Sequence, residues 1–374
     1  MNDTQVPLAD SYEGLYSQVQ SVLAAGNVEE AINLYRRLVD RLARLTPRVL
    51  QLRPELRNLH RAARMEMSSL LRPEGRYSEA IDVVRVLLDS HPEEARMWRR
   101  EIATLQVARG DVESGLADLR ALAEESDDDH LSWLTLGQEA RIEGRFAMAR
   151  EALDHALEVC EENSCPDLPG IYRERFEFFR AAGQIDEAVA AWEEGAALDE
   201  ETRKGIGEIV TMLADAGRYS EARAMLDREP NPLRAGLRRG HIHSLMANPF
   251  EARKEWQRIA DLDPNEFEYG HEAWVEAVLR LGDPVPALLW LQDALREHFG
   301  IRMLILSGVA WAMHGDAELA ANLFQQAIGL LRYQRPPKKK LDSSDWRLLD
   351  NLVNNDEIKK ALKPYFAVVE TLWG

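Results

Sequence analysis

The stretches "LLRPEGRYSEAIDVV" (residues 70–84) and "MLADAGRYSEARAML" (residues 212–226) share the six residues GRYSEA word for word. In both, an apolar helical run ends at the Gly and a second one begins just after it. Relaxed to Gly, four residues, Ala, the string becomes a series: "GNVEEA" from Gly26, "GRYSEA" from Gly75, "GRFAMA" from Gly144 and "GQIDEA" from Gly183. It continues with "GRYSEA" from Gly217, "GDPVPA" from Gly282 and "GDAELA" from Gly315. Two degenerate members, "GDVESG" from Gly110 and "ANPFEA" from Ala247, fill the gaps, so successive starts lie 49, 35, 34, 39, 34, 30, 35 and 33 residues apart. A fixed period of this size points to stacked supersecondary units.

Each unit reads locally. The Gly closes a helix in the left-handed conformation, which it adopts without a Cβ penalty. Acidic and hydroxyl residues then open the next helix at its positive end. The Ala five positions after the Gly is small enough for two helices to approach closely. One turn further stand Tyr35, Val84, Leu119, Leu153, Trp192, Leu226, Trp256, Leu291 and Phe324, all apolar. Two antiparallel helices of a unit this short cannot bury their apolar faces alone, so neighbouring units must stack.

On these residues the chain resembles the tetratricopeptide repeat (TPR) family. "WLTLG" at 133–137 matches its Trp-x-x-Leu-Gly signature, Ala320, Phe324 and Ala327 match its later Ala-x-x-x-Phe element, and Pro92 and Pro264 fall where repeats break. The resemblance implies an all-α, right-handed superhelical solenoid of antiparallel helix pairs, about nine of them over residues 12–335. A tail of residues 1–11 is expected before the array, and a basic linker with capping helices over 336–374 after it. The cap is read as a helix from Trp346 and a last one from about Asp356 to Trp373.

Three departures are informative. The long first step contains "RLARLTPRVLQLRPEL" (41–56), an inserted turn or lengthened helix. The 39-residue step contains "CEENSCPDLPG" (160–170), a loop carrying both cysteines, and the 30-residue step contains "DREPNPLRAG" (227–236), which must shorten the helix after Gly217.

Composition narrows the function. With 46 basic against 64 acidic residues the net charge is −18, a field that repels nucleic-acid phosphates and anionic membranes. No uncharged apolar run is long enough to span a bilayer, and no basic-then-apolar leader opens the sequence. A reducing, cytoplasmic setting follows as the expectation. Catalytic and cofactor motifs are missing: there is no GxxxxGK[ST], HExxH or GxSxG, so neither an enzyme nor a cofactor is expected. His241 and His243 are two apart and would point to different faces of a helix. Cys160 and Cys165 are read as reduced thiols beside a loop, with a disulfide or redox switch as the alternative. "EESDDDH" (124–130) is read as a solvated loop whose last Asp residues start a helix, and "RYQRPPKKK" (332–340) as a solvated linker.

In the TPR family the first helix of each repeat lines the concave face. Carried onto the central units, the lining positions hold Arg100, Arg141, Arg173, Arg180, Lys204 and Arg234 against only Glu177 and Asp215. That reverses the overall charge balance, and Arg grips carboxylates bidentately. The expected function is a non-catalytic scaffold or adaptor holding a protein or peptide, with an acidic or carboxylate-terminal segment, in this groove. An RNA-binding helical-repeat protein, disfavoured by the net charge, and a peptide-sensing regulator are the alternatives. Partner identity and oligomeric state are not written in the sequence.

Overall fold

The computed structural model describes residues 12–24, 27–294, 300–333 and 352–373. The tail 1–11, Gly26, most of "RYQRPPKKK" and the helix expected from Trp346 lie outside these residues. The chain divides into two compact units, Met1–Ala181 and Ala182–Gly374, and the division falls just before Gly183. Among the described residues every regular element is helical.

In the first unit, α1 (Tyr12–Ala24) packs on α2 (Val28–Leu42), and α4 (Pro54–Leu71) on α5 (Tyr77–Ser90). The next pairs are α6 (Ala95–Arg109) with α7 (Val112–Glu124), and α8 (His130–Ile142) with α9 (Phe146–Glu162); α10 (Leu168–Ala181) then packs on α8 and α9. The extra residues of the first step form a short helix of their own, α3 (Pro47–Leu52). The second unit opens with α11 (Ile185–Leu198) and α12 (Glu200–Lys204). It continues with the pairs α13 (Ile206–Asp215) and α14 (Tyr219–Leu226), α15 (Pro232–Leu245) and α16 (Pro249–Ala260). Then come α17 (His271–Arg280) with α18 (Val285–Ala294), and α19 (Ile301–His314) with α20 (Ala317–Tyr333). The final α21 (Asp356–Trp373) packs on α20 and sends Ile358 and Leu362 into the core that holds Phe324. As the sequence requires, α14 is shortened to 8 residues before the Pro-rich connection.

The turn chemistry is the one the repeat string implies. Gly75, Gly110, Gly144, Gly183, Gly217, Gly282 and Gly315 all have positive φ, between 68° and 104°. The residue after the Gly sends its N–H back to the carbonyl five residues earlier, as in Arg76 to Leu71 (3.0 Å), Arg145 to Ala140 (2.7 Å) and Arg218 to Leu213 (2.8 Å). This is the hydrogen-bond pattern of a Schellman closure. Ala247, which replaces the Gly in one degenerate member, is held in the same region at φ 55°.

The small residue that follows is buried in every unit: Ala31, Ala80, Ala149, Ala188, Ala222, Ala252, Ala287 and Ala320 are each 0% exposed. In the remaining unit the place is taken by Gly115, where a Cβ would lie 2.6 Å from Val107 Cγ2 and 2.7 Å from the Ala103 carbonyl. The degenerate member "GDVESG" therefore reflects a helix contact too close even for Ala. Of the nine apolar residues one turn on, all are buried except Trp256, which is half-buried. Facing three of them are glycines of the first helix. A Cβ on Gly137 would lie 2.7 Å from Leu153, on Gly240 2.1 Å from Trp256 Nε1, and on Gly308 2.6 Å from Phe324. The Gly of the "WLTLG" signature is thus the socket for Leu153.

Candidate binding face

Arg100 and Arg141 belong to a ladder that runs between first helices of successive repeats in the first unit. Arg72, at the end of α4, pairs with Glu101 of α6. Arg100 Nη1 of α6 lies 3.2 Å from Asp129 Oδ1 and 3.3 Å from Ser132 Oγ. Asp129 is the N-cap of α8: its carboxylate accepts from the Ser132 N–H (3.1 Å) and hydroxyl (2.7 Å) while only 7% exposed. The acidic loop "EESDDDH" thus ends in a capping Asp, as read, and that Asp also holds an arginine. Burial pulls the Arg100 guanidinium below its ordinary pKa, with Asp129 acting against it.

The next rung is Arg141 Nε of α8, 2.5 Å from Glu174 Oε1 of α10. Burial raises the Glu174 carboxyl above its usual range, and Arg141 opposes that rise. Between these rungs Glu139 is half-buried, and its pKa is pushed up to about 7 by burial, against the pull of Arg72 and with Glu143, Glu101 and Glu174 adding repulsion. Arg180 pairs with Glu177 one turn earlier and lies over the Phe176 ring, 5.7 Å from its centroid. Arg173 is exposed on α10.

The other two sequence-derived candidates lie in the second unit. Lys204 does not sit on a continuous first helix. The chain breaks at Gly205, leaving Lys204 exposed at the end of α12 and 3.7 Å from Glu200. Arg234, in the first turn of α15, lies 4.9 Å from the Tyr269 ring centroid. Its position is fixed by Asn231, a buried cap that accepts from the Arg234 N–H (3.0 Å) and donates to the Tyr269 carbonyl (2.6 Å). Arg234 has no carboxylate partner among the described residues. Of Glu177 and Asp215, Glu177 is the partner of Arg180 and Asp215 is exposed at the end of α13.

A residue that sequence reasoning passed over anchors the second unit. Glu276 of α17 is 1% exposed, and its Oε1 accepts from His241 Nε2 (2.9 Å) and Arg280 Nε (2.7 Å). Its Oε2 accepts from Arg302 Nη2 at 2.7 Å. Burial alone would raise this carboxyl. Arg280, His241 and Arg302 together outweigh that and hold it well below the usual carboxylate range. His241 is held below its ordinary value chiefly by burial. The signal for these partners lies in the period: Arg72–Glu101, Arg100–Asp129, Arg141–Glu174 and His241–Glu276 are separated by 29, 29, 33 and 35 residues, close to one repeat.

Among the described residues no helix is long and apolar enough to cross a membrane. No family model matches the chain, and no curated protein does. Solved structures similar to it include a tetratricopeptide repeat protein from Parabacteroides merdae ATCC 43184. It is 14% identical, with 95% of this chain and 98% of that one covered and a TM-score of 0.32. The P58(IPK) TPR domain is 13% identical, covering 96% and 98%, with a TM-score of 0.25. Yeast Tom70 is 10% identical, covering 97% and 90%, with a TM-score of 0.36. Superpositions this loose carry no inference about activity. The TPR-like character of the chain rests on its own helix pairs, their glycine closures and the buried small residue that recurs in each.

Proposed function

We propose that this protein is a non-catalytic scaffold that holds a peptide or protein segment against the first helices of its repeats. The observation that supports this reading is the state of three first-helix arginines of the first unit. Their side chains are part-exposed, 17% for Arg100, 21% for Arg141 and 35% for Arg180, and each is fixed by a neighbouring carboxylate. Among the described residues, the contact of Arg141 with a carboxylate is made by Nε, to Glu174. A guanidinium carries five donors, so its two terminal nitrogens stay available for a carboxylate without breaking the internal pair. A pre-positioned donor loses little freedom on binding, and this lowers the entropic cost of recognition. Arg234, unpaired with any described carboxylate and resting on Tyr269, is the candidate of the same kind in the second unit.

The ligand chemistry that fits is an acidic segment, with a free C-terminal carboxylate as the strongest form. The test is a thermal-shift screen of acidic peptides in matched free-acid and C-terminally amidated versions, with a single-stranded RNA as a comparison. The proposal expects the free acids to raise the melting temperature most, with an effect that shrinks as salt rises. Stabilisation by RNA and by no peptide would overturn it.

A further inference from the structure

The loop that lengthens the repeat begun at Gly144 folds two thiols toward a histidine that is distant in sequence. Helix α9 ends at Glu162, Asn163 Nδ2 donates to the Val159 carbonyl (2.8 Å), and Ser164 takes a left-handed φ of 51°. The Cys165 N–H then returns to the Cys160 carbonyl at 2.9 Å. Cys160 and Cys165 come to a Cα–Cα distance of 5.0 Å and are joined as a disulfide, where the sequence suggested reduced thiols. His130, the first residue of α8, is placed beside them by the Asp129 cap. One ligand atom from each of His130, Cys160 and Cys165 lies within 4.8 Å of the others. His130 Nε2 is 2.9 Å from Asp167 Oδ2.

We propose that, with the disulfide reduced, Cys160, Cys165 and His130 bind a single zinc ion. Two thiolates and an imidazole are a borderline-soft donor set that suits Zn²⁺ and not Mg²⁺ or Ca²⁺, which require oxygen ligands. Donors of a tetrahedral zinc site with bonds of about 2.0–2.3 Å stand roughly 3.5–3.8 Å apart, so the two sulfur atoms must separate from bonding distance once reduced, while the His130 ligand atom already lies within 4.8 Å of both. Four residues between the cysteines is within the usual ligand spacing. With Asp167 on Nε2 the tautomer is fixed with its proton there, and Nδ1 is the nitrogen we assign to the ion, in the manner of carboxylates behind metal-bound histidines.

The surroundings suit the task. Cys160 is fully buried with Ala156 and Ile171, while Cys165 and His130 are half-buried and Asp167 is exposed, which gives the ion a way in. Binding releases the two thiol protons, and the paired thiolate charges balance the ion. The same sulfur atoms serve the disulfide, so the two states exclude each other. A second acidic group, His91 with Glu93 and Glu94, is less suited because Arg57 and Arg61 already engage its carboxylates.

The test is zinc titration of the full chain against a chromophoric chelator, after reduction with a phosphine and anaerobic desalting. One equivalent is expected, and Co²⁺ in its place should show thiolate-to-cobalt charge-transfer absorption. Asp167→Asn should weaken zinc by about 10–100-fold while the far-ultraviolet circular dichroism is unchanged. Cys165→Ser, at the half-exposed position, should lose the charge-transfer band. Zinc held no more tightly by the reduced wild type than by Cys165→Ser overturns the proposal. So does Co²⁺ bound without thiolate absorption (an adventitious ion only), and so does a cysteine pair that resists reduction.

Discussion

Arg218 Nη1 lies 2.6 Å from Asp186 Oδ1, joining the turn of one repeat to the turn of the repeat before it. The same guanidinium donates from Nε to Glu221 within its own GRYSEA string (2.7 Å). In the other copy Arg76 does both things, reaching Glu29 of the previous turn (3.2 Å) and Glu79 of its own (3.0 Å). Arg145 likewise pairs with Glu113. The identical strings are one solution to one problem: a glycine closure, an arginine clamp across neighbouring turns and a buried alanine.

The glycine sockets fix one expected sign. Gly→Ala inside a helix ordinarily stabilises by about 0.8–1 kcal/mol. Gly308→Ala and Gly240→Ala should instead destabilise by about 1–3 kcal/mol, because the new methyl would meet Phe324 at 2.6 Å and Trp256 at 2.1 Å. Urea unfolding followed by circular dichroism measures this.

The closures give a pair of opposite outcomes. Gly217→Ala forces a Cβ into φ +74° and should cost about 1 kcal/mol. Ala247 already sits at φ 55°, so Ala247→Gly should be neutral to stabilising by a few tenths of a kcal/mol. Chemical denaturation of both variants beside the wild type compares them.

Glu139 sets a pH dependence. Its folded pKa of about 7 is above the unfolded value, so the folded state binds the proton more tightly. Stability from this group therefore falls as pH rises from about 4.5 toward 7 and is flat above that. Glu139→Gln, which mimics the protonated form, should add about 1–3 kcal/mol at pH 8 and little at pH 4. Unfolding midpoints at the two pH values decide it.

Glu276 has the opposite sign. Its depressed folded pKa contributes stability that is present above the unfolded value and lost as pH falls through the folded one. Glu276→Gln leaves Arg280, Arg302 and His241 around a neutral group, and should cost about 3–5 kcal/mol at pH 7. The loss should shrink in acid, which unfolding experiments at pH 3 and pH 7 would register.

The fold was legible in the sequence because its determinants are local and periodic. A left-handed glycine, a small residue five positions on and an apolar residue one turn later are each fixed by near neighbours. Even the shortened α14 follows from the prolines beside it. The arginines of the candidate face were found by position, but their partners were not, since Asp129 and Glu174 lie about one repeat away and pair only once helices stack. The break at Gly205, which removes Lys204 from a first helix, has no periodic signature. His130 is likewise far from the cysteines in sequence, so the pair looked like two isolated thiols.

The most direct test of the scaffold account is the affinity of a labelled acidic peptide with a free C-terminal carboxylate, selected in the thermal-shift screen. Fluorescence anisotropy would compare wild type with the double variant Arg173→Glu, Arg180→Glu, with circular dichroism confirming that the helices remain. Each reversed charge replaces attraction by repulsion, so the account predicts affinity lower by at least about tenfold, or roughly 1.4 kcal/mol. Equal binding by the two proteins would contradict it.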